Sequence, residues 1–107
     1  MTKAYTLATY RVLPGQEEAF ITAWNDLAAT LSSLPNPPYW GTLIRSTTDR
    51  TLFHSFGPWA DAHDVAAMRN NSGAGAAFQA VHELCLEMTP GDYEIVTHVK
   101  VREEPSA

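Results

Sequence analysis

Tyr10-Arg11-Val12-Leu13-Pro14-Gly15-Gln16-Glu17-Glu18-Ala19-Phe20-Ile21-Thr22-Ala23-Trp24 is the stretch from which the fold of this chain is read. Extended-type residues run into Pro14-Gly15, which stops a strand, because proline has no amide to donate and glycine tolerates turn conformations. Gln16, Glu17 and Glu18 follow, placing acid in a first helical turn where the helix dipole favours it. Phe20, Trp24, Leu27 and Leu31 then recur at helical spacing, with Ala23 and Ala28 beside them. Upstream, residues 4–13 are rich in Tyr, Thr, Val and Leu and predict a strand. The chain therefore opens strand, tight turn, helix.

Working outward, Leu34-Pro35-Asn36-Pro37-Pro38 cannot be helical, since three prolines fix φ and remove donors. Residues 39–46 and 51–56 predict two strands, joined by Thr47-Thr48-Asp49-Arg50 at a length that suits a hairpin. Gly57-Pro58 is expected to end the second of them. A helix follows over about 60–69, then a break of Asn, Ser and Gly over 70–75, then a helix over about 76–88. Pro90-Gly91-Asp92 is expected to turn the chain into a last strand, 93–101, and 102–107 to form a flexible charged tail. The order is β-α-β-β-α-β with the second helix in two pieces. That is a ferredoxin-like α+β arrangement, a four-stranded antiparallel sheet with helices on one face, in a single domain of residues 1–107 with its core at about 4–101.

The expected strands alternate poorly. In the first, Tyr5, Leu7, Thr9 and Arg11 oppose Thr6, Ala8, Tyr10 and Val12; in the last, Tyr93, Ile95, Thr97, Val99 and Val101 oppose Glu94, Val96, His98 and Lys100. Neither side is cleanly polar, whereas a sheet with one face in water alternates clearly. A second copy of the chain is expected to cover the open face. Composition agrees: 45% of the 107 residues are hydrophobic and 18% charged, an apolar balance for so short a chain. The formal net charge of −5, with scattered basic residues, speaks against nucleic acid and against anionic membrane surfaces. Cys85 is the one cysteine, no apolar run approaches a membrane span, and the first residues lack a signal-type apolar block; the expected location is a reducing cytoplasm.

Taken together, Tyr10-Arg11-Val12-Leu13-Pro14-Gly15 with Glu17, Glu18, Phe20 and Trp24, then Gly41-Thr42-Leu43-Ile44-Arg45-Ser46, Leu52-Phe53-His54-Ser55-Phe56 and the helix from Trp59, resemble the antibiotic biosynthesis monooxygenase (ABM) family. The resemblance covers residues 4–101 and rests on order and spacing. It implies the dimeric α+β barrel, in which two sheets pack face to face, and a pocket between each sheet and its own helices. It also implies either oxidation of a small aromatic or polyketide-like phenol without metal or flavin, or isomerase-type chemistry. A dimer that binds an apolar metabolite without reaction is the alternative of a different class.

Oxygenation without a cofactor needs a substrate anion, donors to hold it, and dry walls. His82 and His54 are the candidate bases, because imidazole titrates near neutrality. The stretch Phe78-Gln79-Ala80-Val81-His82 resembles the helix that carries the haem-ligating histidine in the haem-degrading branch, and helical spacing turns His82 inward. The asparagine and tryptophan of that branch are replaced here by Ala8 and the Ala67/Met68 region, so no cofactor is expected, with haem on His82 the alternative. A core-edge histidine tethered to a carbonyl is the bland reading of His82. Half-exposed strand histidines are the bland reading of His54 and His98. Tyr10 and Arg45 are candidates to orient a phenol and hold a negative charge, against simple cross-strand packing and an interface ion pair. Trp24, Trp59, Phe56 and Phe78, with His98, are candidate walls for a ring-shaped ligand, and plain core is the competing reading of the aromatics. None of the four histidines has the partners of a zinc or iron site, so no metal is expected.

Overall fold

The computed structural model describes residues 4–105, and every structural statement below concerns these residues. β1 (Ala4–Val12), α1 (Glu17–Ser32), β2 (Thr42–Arg45), β3 (Leu52–Trp59), α2 (Ala62–Arg69), α3 (Ser72–His82) and β4 (Cys85–Glu94) follow in order. The four strands form one antiparallel sheet in the order β2-β3-β1-β4, with the helices on one face. This is the ferredoxin-like α+β fold expected from the sequence. No helix is long and apolar enough to cross a membrane.

Strand parity divides β1 between two environments. Ala8, Tyr10 and Val12 are buried beneath the helices, while Leu7, Thr9 and Arg11 lie on the opposite face. From α1, Phe20 and Leu27 reach down onto the same side. Phe20 sits between Tyr10 and Phe53, with ring centroids 5.0 and 4.8 Å apart, and Val81 of α3 completes this core. Burying each of these large side chains is worth about 1.5–3 kcal/mol. A second buried cluster, Trp59, Val65, Met68 and Ala74, holds α2 and α3 over the far end of β3.

β2 is shorter than expected, Thr42–Arg45 in place of 39–46, and the larger differences, at β3, α3 and β4, have local reasons. β4 begins at Cys85, not at residue 93, so α3 ends at His82 instead of near 88. Pairing with β1, including Tyr10 opposite Met88 and Ala8 opposite Pro90, outweighs another helical turn. Pro90-Gly91-Asp92 is thus strand and not a turn: β4 is an edge, where a proline's missing amide costs no ladder bond. Gly91 makes room for the ring of Tyr93, since an added Cβ would stand 2.7 Å from Tyr93 Cε1. Residues 95–101, expected to be strand, have no regular structure, as do 102–105; residues 106–107 of the expected tail lie outside the described residues.

β3 runs on to Trp59 through Gly57-Pro58, which the sequence reads as a stop. Both residues pair with β1, and the Pro58 carbonyl accepts from the Tyr39 amide at 3.0 Å. α3 starts at Ser72, earlier than expected, because the Asn71 side chain accepts from the Ala74 amide at 2.9 Å and caps it. The break between α2 and α3 shrinks to Asn70-Asn71. Asp61 caps α2 in the same way, accepting from the amides of His63 and Asp64.

Candidate functional site

Between the helix-covered face of the sheet and the helices lies a cavity of about 230 Å³. Its floor is the inward row of β1 and β3, including Thr6, Ala8, Tyr10 and Ser55; Trp24, Leu27 and Leu31 of α1 form one wall, and Phe78, Met68 and Trp59 another. Arg69 and Pro90 border it on the side of α2 and β4.

Polar groups stand at two places in this apolar space. The Tyr10 hydroxyl lies 2.7 Å from Ser55 Oγ. Tyr10 is 1% exposed. Burial raises its pKa above the usual tyrosine value, against the lowering effect of hydrogen bonds with Ser55 and Trp24. The hydroxyl therefore stays protonated throughout the neutral range and acts as a donor, not a base. Thr6 Oγ1 accepts from Trp59 Nε1 at 3.1 Å, which fixes the indole that closes this end. Beside it, Arg69 at the last position of α2 forms an ion pair with Asp92 of β4.

The structure brings together Tyr10, Trp24, Trp59, Phe78 and Phe56 of the residues singled out from sequence. Phe56 alternates to the other face from Ser55, with its ring edge-on to Trp40 at 6.1 Å. Arg45 stands apart. Its Nε donates to the Arg50 carbonyl at 2.8 Å and its guanidinium covers the Phe53 ring at 5.0 Å, in a separate shallow hollow. His82 does not point inward: it closes α3 in an exposed position, because Val81 takes the buried one. His54 lies on the uncovered sheet face, its Nδ1 3.0 Å from Thr9 Oγ1. His98 is exposed in the segment after β4. No described residue lining the cavity is His, Asp or Glu. Haem does not fit these residues, since His82 lies outside a cavity smaller than ordinary small-molecule pockets of about 300–1,000 Å³. No group of three or more His, Cys, Asp or Glu among the described residues could hold a metal ion. Cys85 is half-buried, its thiol pushed up by burial and directed to the Val81 carbonyl at 3.4 Å.

Sequence reading missed Thr6, Ser55 and Arg69. Ser55 carried a signal, a small hydroxyl two residues from Phe53 and so on the same inward row. Arg69 carried none, because only the packing of α2 against β1 and β3 brings it to the cavity.

No family model matches the sequence, and no curated protein matches it either. Solved structures do match in fold. One is a mutant form of SnoaB from Streptomyces nogalater, a cofactor-independent oxygenase, 15% identical with a TM-score of 0.83 over 91% of this chain and 96% of that one. A provisionally assigned antibiotic biosynthesis monooxygenase from Nitrosomonas europaea is 18% identical, with a TM-score of 0.76 over 88% and 90% of the two chains. A protein of unknown function from Bacteroides thetaiotaomicron, named a possible oxidoreductase, is 21% identical, with a TM-score of 0.77 over 88% and 98%. The ABM resemblance seen in the sequence thus has its counterpart in three dimensions. At these identities the likeness establishes the fold.

Proposed function

We propose that this chain is an ABM-type, cofactor-independent monooxygenase acting on a small phenol, and that it works as a homodimer in the cytoplasm. The observation that carries the reading is the Tyr10–Ser55 hydroxyl pair on the floor of an aromatic-walled cavity. An apolar cavity of about 150 Å³ accommodates benzene, so 230 Å³ takes one or two fused rings. The same fold in SnoaB, a cofactor-independent oxygenase, supports the reaction class.

In this scheme the phenol oxygen sits against Tyr10 and Ser55. With no ionisable base lining the cavity, the substrate's own hydroxyl loses its proton to water, and the one hydroxyl proton that the Tyr10–Ser55 pair leaves free holds the resulting anion. One such donor, at about 1.5–3 kcal/mol for a hydrogen bond to a charged group, is worth roughly 10- to 150-fold in rate. Going without a general base forgoes roughly 10²–10⁴, so acidic phenols and hydroquinone-like substrates are favoured. The anion passes one electron to dioxygen, and the carbon radical and superoxide combine as a peroxide. Protonation and loss of water leave a carbonyl, so that the phenol C–OH and its para C–H, with O₂, become the two C=O groups of a quinone and H₂O.

The dimer reading rests on the uncovered sheet face. There Leu7, Ile44, Trp40 and Tyr93 are 37, 46, 48 and 56% exposed, an apolar row that monomers rarely present to water. A second reading, binding without reaction, draws on the same lack of an ionisable base. Oxygen uptake with a panel of hydroquinones and anthrones separates the two. The oxygenase reading expects consumption whose apparent pKa follows that of the phenol supplied. Tight binding with no uptake above buffer assigns the pocket to sequestration.

A further inference from the structure

The cavity has two polar poles, and the Tyr10–Ser55 pair is one of them. The other is Arg69, which borders the cavity while its guanidinium pairs with Asp92. Asp92 stands opposite Thr6 in the sheet register, and Thr6 is four residues before Tyr10 on the same inward row. The Tyr10 hydroxyl is bonded to Ser55, which stands opposite Ala8, so at 3.3 Å per residue the two poles lie about 7 Å apart along the strand. Trp59, Met68 and Phe78 line the same cavity as both poles, and the wall there is apolar.

Resting on the phenol-pocket reading, we propose that the cavity selects aromatic acids. The ligand is a one- or two-ring phenol with its hydroxyl at Tyr10 and Ser55 and a carboxylate at the opposite end, bound by Arg69 in place of Asp92. A planar guanidinium can take a carboxylate bidentately, and Asp92 already holds a carboxylate oxygen against it as an internal stand-in. The stand-in is easily displaced. The side chains of Arg69 and Asp92 are 35 and 59% exposed, and solvent screens such a pair to little net stabilisation. Asp92 can swing to water, whereas an incoming carboxylate arrives with its ring already enclosed. Arg69 is held for the task at the last turn of α2, where the helix dipole favours a cation, and Asn70 secures that end by donating to the Ala66 carbonyl at 3.0 Å.

Isothermal titration of the full chain with 6-hydroxy-2-naphthoate, 2-naphthol and 2-naphthoate tests this. The hydroxy acid is expected to bind about tenfold tighter than 2-naphthol, as a charge-assisted contact allows. Arg69→Gln should abolish that preference and leave 2-naphthol unchanged. Arg69→Lys, which keeps the charge but loses the fork, should retain part of it. Asp92→Asn removes the internal competitor without touching Arg69, and should tighten the hydroxy acid and 2-naphthoate while leaving 2-naphthol unchanged. Equal binding of the hydroxy acid and the naphthol by the unmodified chain overturns the proposal and leaves the phenol pocket standing. So does a preference that survives Arg69→Gln. Failure of all three compounds to bind overturns the proposal and the phenol pocket together.

Discussion

Replacing Tyr10 by phenylalanine removes one oxygen from the floor of the cavity and leaves the rest of the core in place. The ring keeps its contact with Phe20 at 5.0 Å, and the buried side chain loses a single atom. What disappears is the 2.7 Å hydrogen bond with Ser55, and with it the oxygen that accepts from Trp24. A neutral hydrogen bond contributes about 0.5–1.5 kcal/mol net. Ser55 borders the cavity, where water can take the vacated position, so the lower half of that range applies. For a domain of about this size each 1 kcal/mol moves the melting midpoint by roughly 4–8 °C; the expected fall in Tm is therefore a few degrees. The effect on a reaction is larger. A hydrogen bond to a charged group contributes about 1.5–3 kcal/mol, so loss of the donor to a phenolate lowers kcat by roughly 10- to 150-fold. Differential scanning fluorimetry gives the first quantity and oxygen uptake the second. Titration with 2-naphthol against naphthalene supplies an internal control, since only the naphthol can feel the missing hydroxyl. If Tyr10→Phe binds both ligands as the parent does, the Tyr10 hydroxyl does not meet the ligand's polar end, and the orientation argued here is wrong.

Three further outcomes are expected. Asp49 in the β2–β3 turn is lowered to about 2 by the hydrogen bond from Arg11, at 2.7 Å, and by the hydroxyl and amide of Thr51. A depressed carboxyl stabilises the fold above its ordinary pKa, and that contribution fades as pH falls through about 2. Carboxyl NMR titration should find the pKa raised in Arg11→Gln; an unchanged value refutes the assignment of Arg11 as leading cause. Gly57→Ala should destabilise by at least the 1–3 kcal/mol or so typical of overpacking, because the new Cβ would stand 2.2 Å from the Trp40 carbonyl oxygen. Gly75→Ala in α3 meets nothing and should stabilise by up to about 1 kcal/mol; equal Tm values for the two variants would contradict the crossing at Gly57. Leu7→Lys with Ile44→Lys should turn a dimer into a monomer of unchanged helix content in light scattering with circular dichroism, and a parent that is already monomeric removes the dimer proposal.

The element order was legible because its signals are local. Pro14-Gly15 with acid after it and Phe20, Trp24, Leu27 and Leu31 at helical spacing fix β1 and α1 without help from the rest of the chain. β4 was misplaced because its position depends on a distant partner. Nothing within Cys85-Leu86-Glu87-Met88 favours strand over helix, and only the ladder with β1 decides it. Gly57-Pro58 and Pro90-Gly91 misled for a related reason. Both are genuine turn signals that a sheet edge, or the end of a neighbouring strand, can absorb. In the site, the aromatic walls were legible from periodicity. The facing of His82 was not, since one residue of helical phase separates it from buried Val81.

That β1 serves two surfaces explains how a short chain can hold a cavity and still present an apolar outer face. Ala8, Tyr10 and Val12 are committed to the helices, and the side chains between them point the other way, toward His54, Phe56 and Leu52 across the sheet. The two rows share a backbone and face opposite ways, so binding and self-association can vary separately. The chemistry is less tied to the fold. A sheet floor of Ala, Thr, Ser and Tyr supplies neutral donors only, and such donors stabilise an anion without creating one. Whether the cavity oxidises its ligand or merely retains it then turns on the ligand's own acidity, because the anion must reach Tyr10 already formed or form there with water as the acceptor. A strongly acidic phenol would make this chain a catalyst. A weakly acidic one would leave it a binding protein with the same walls.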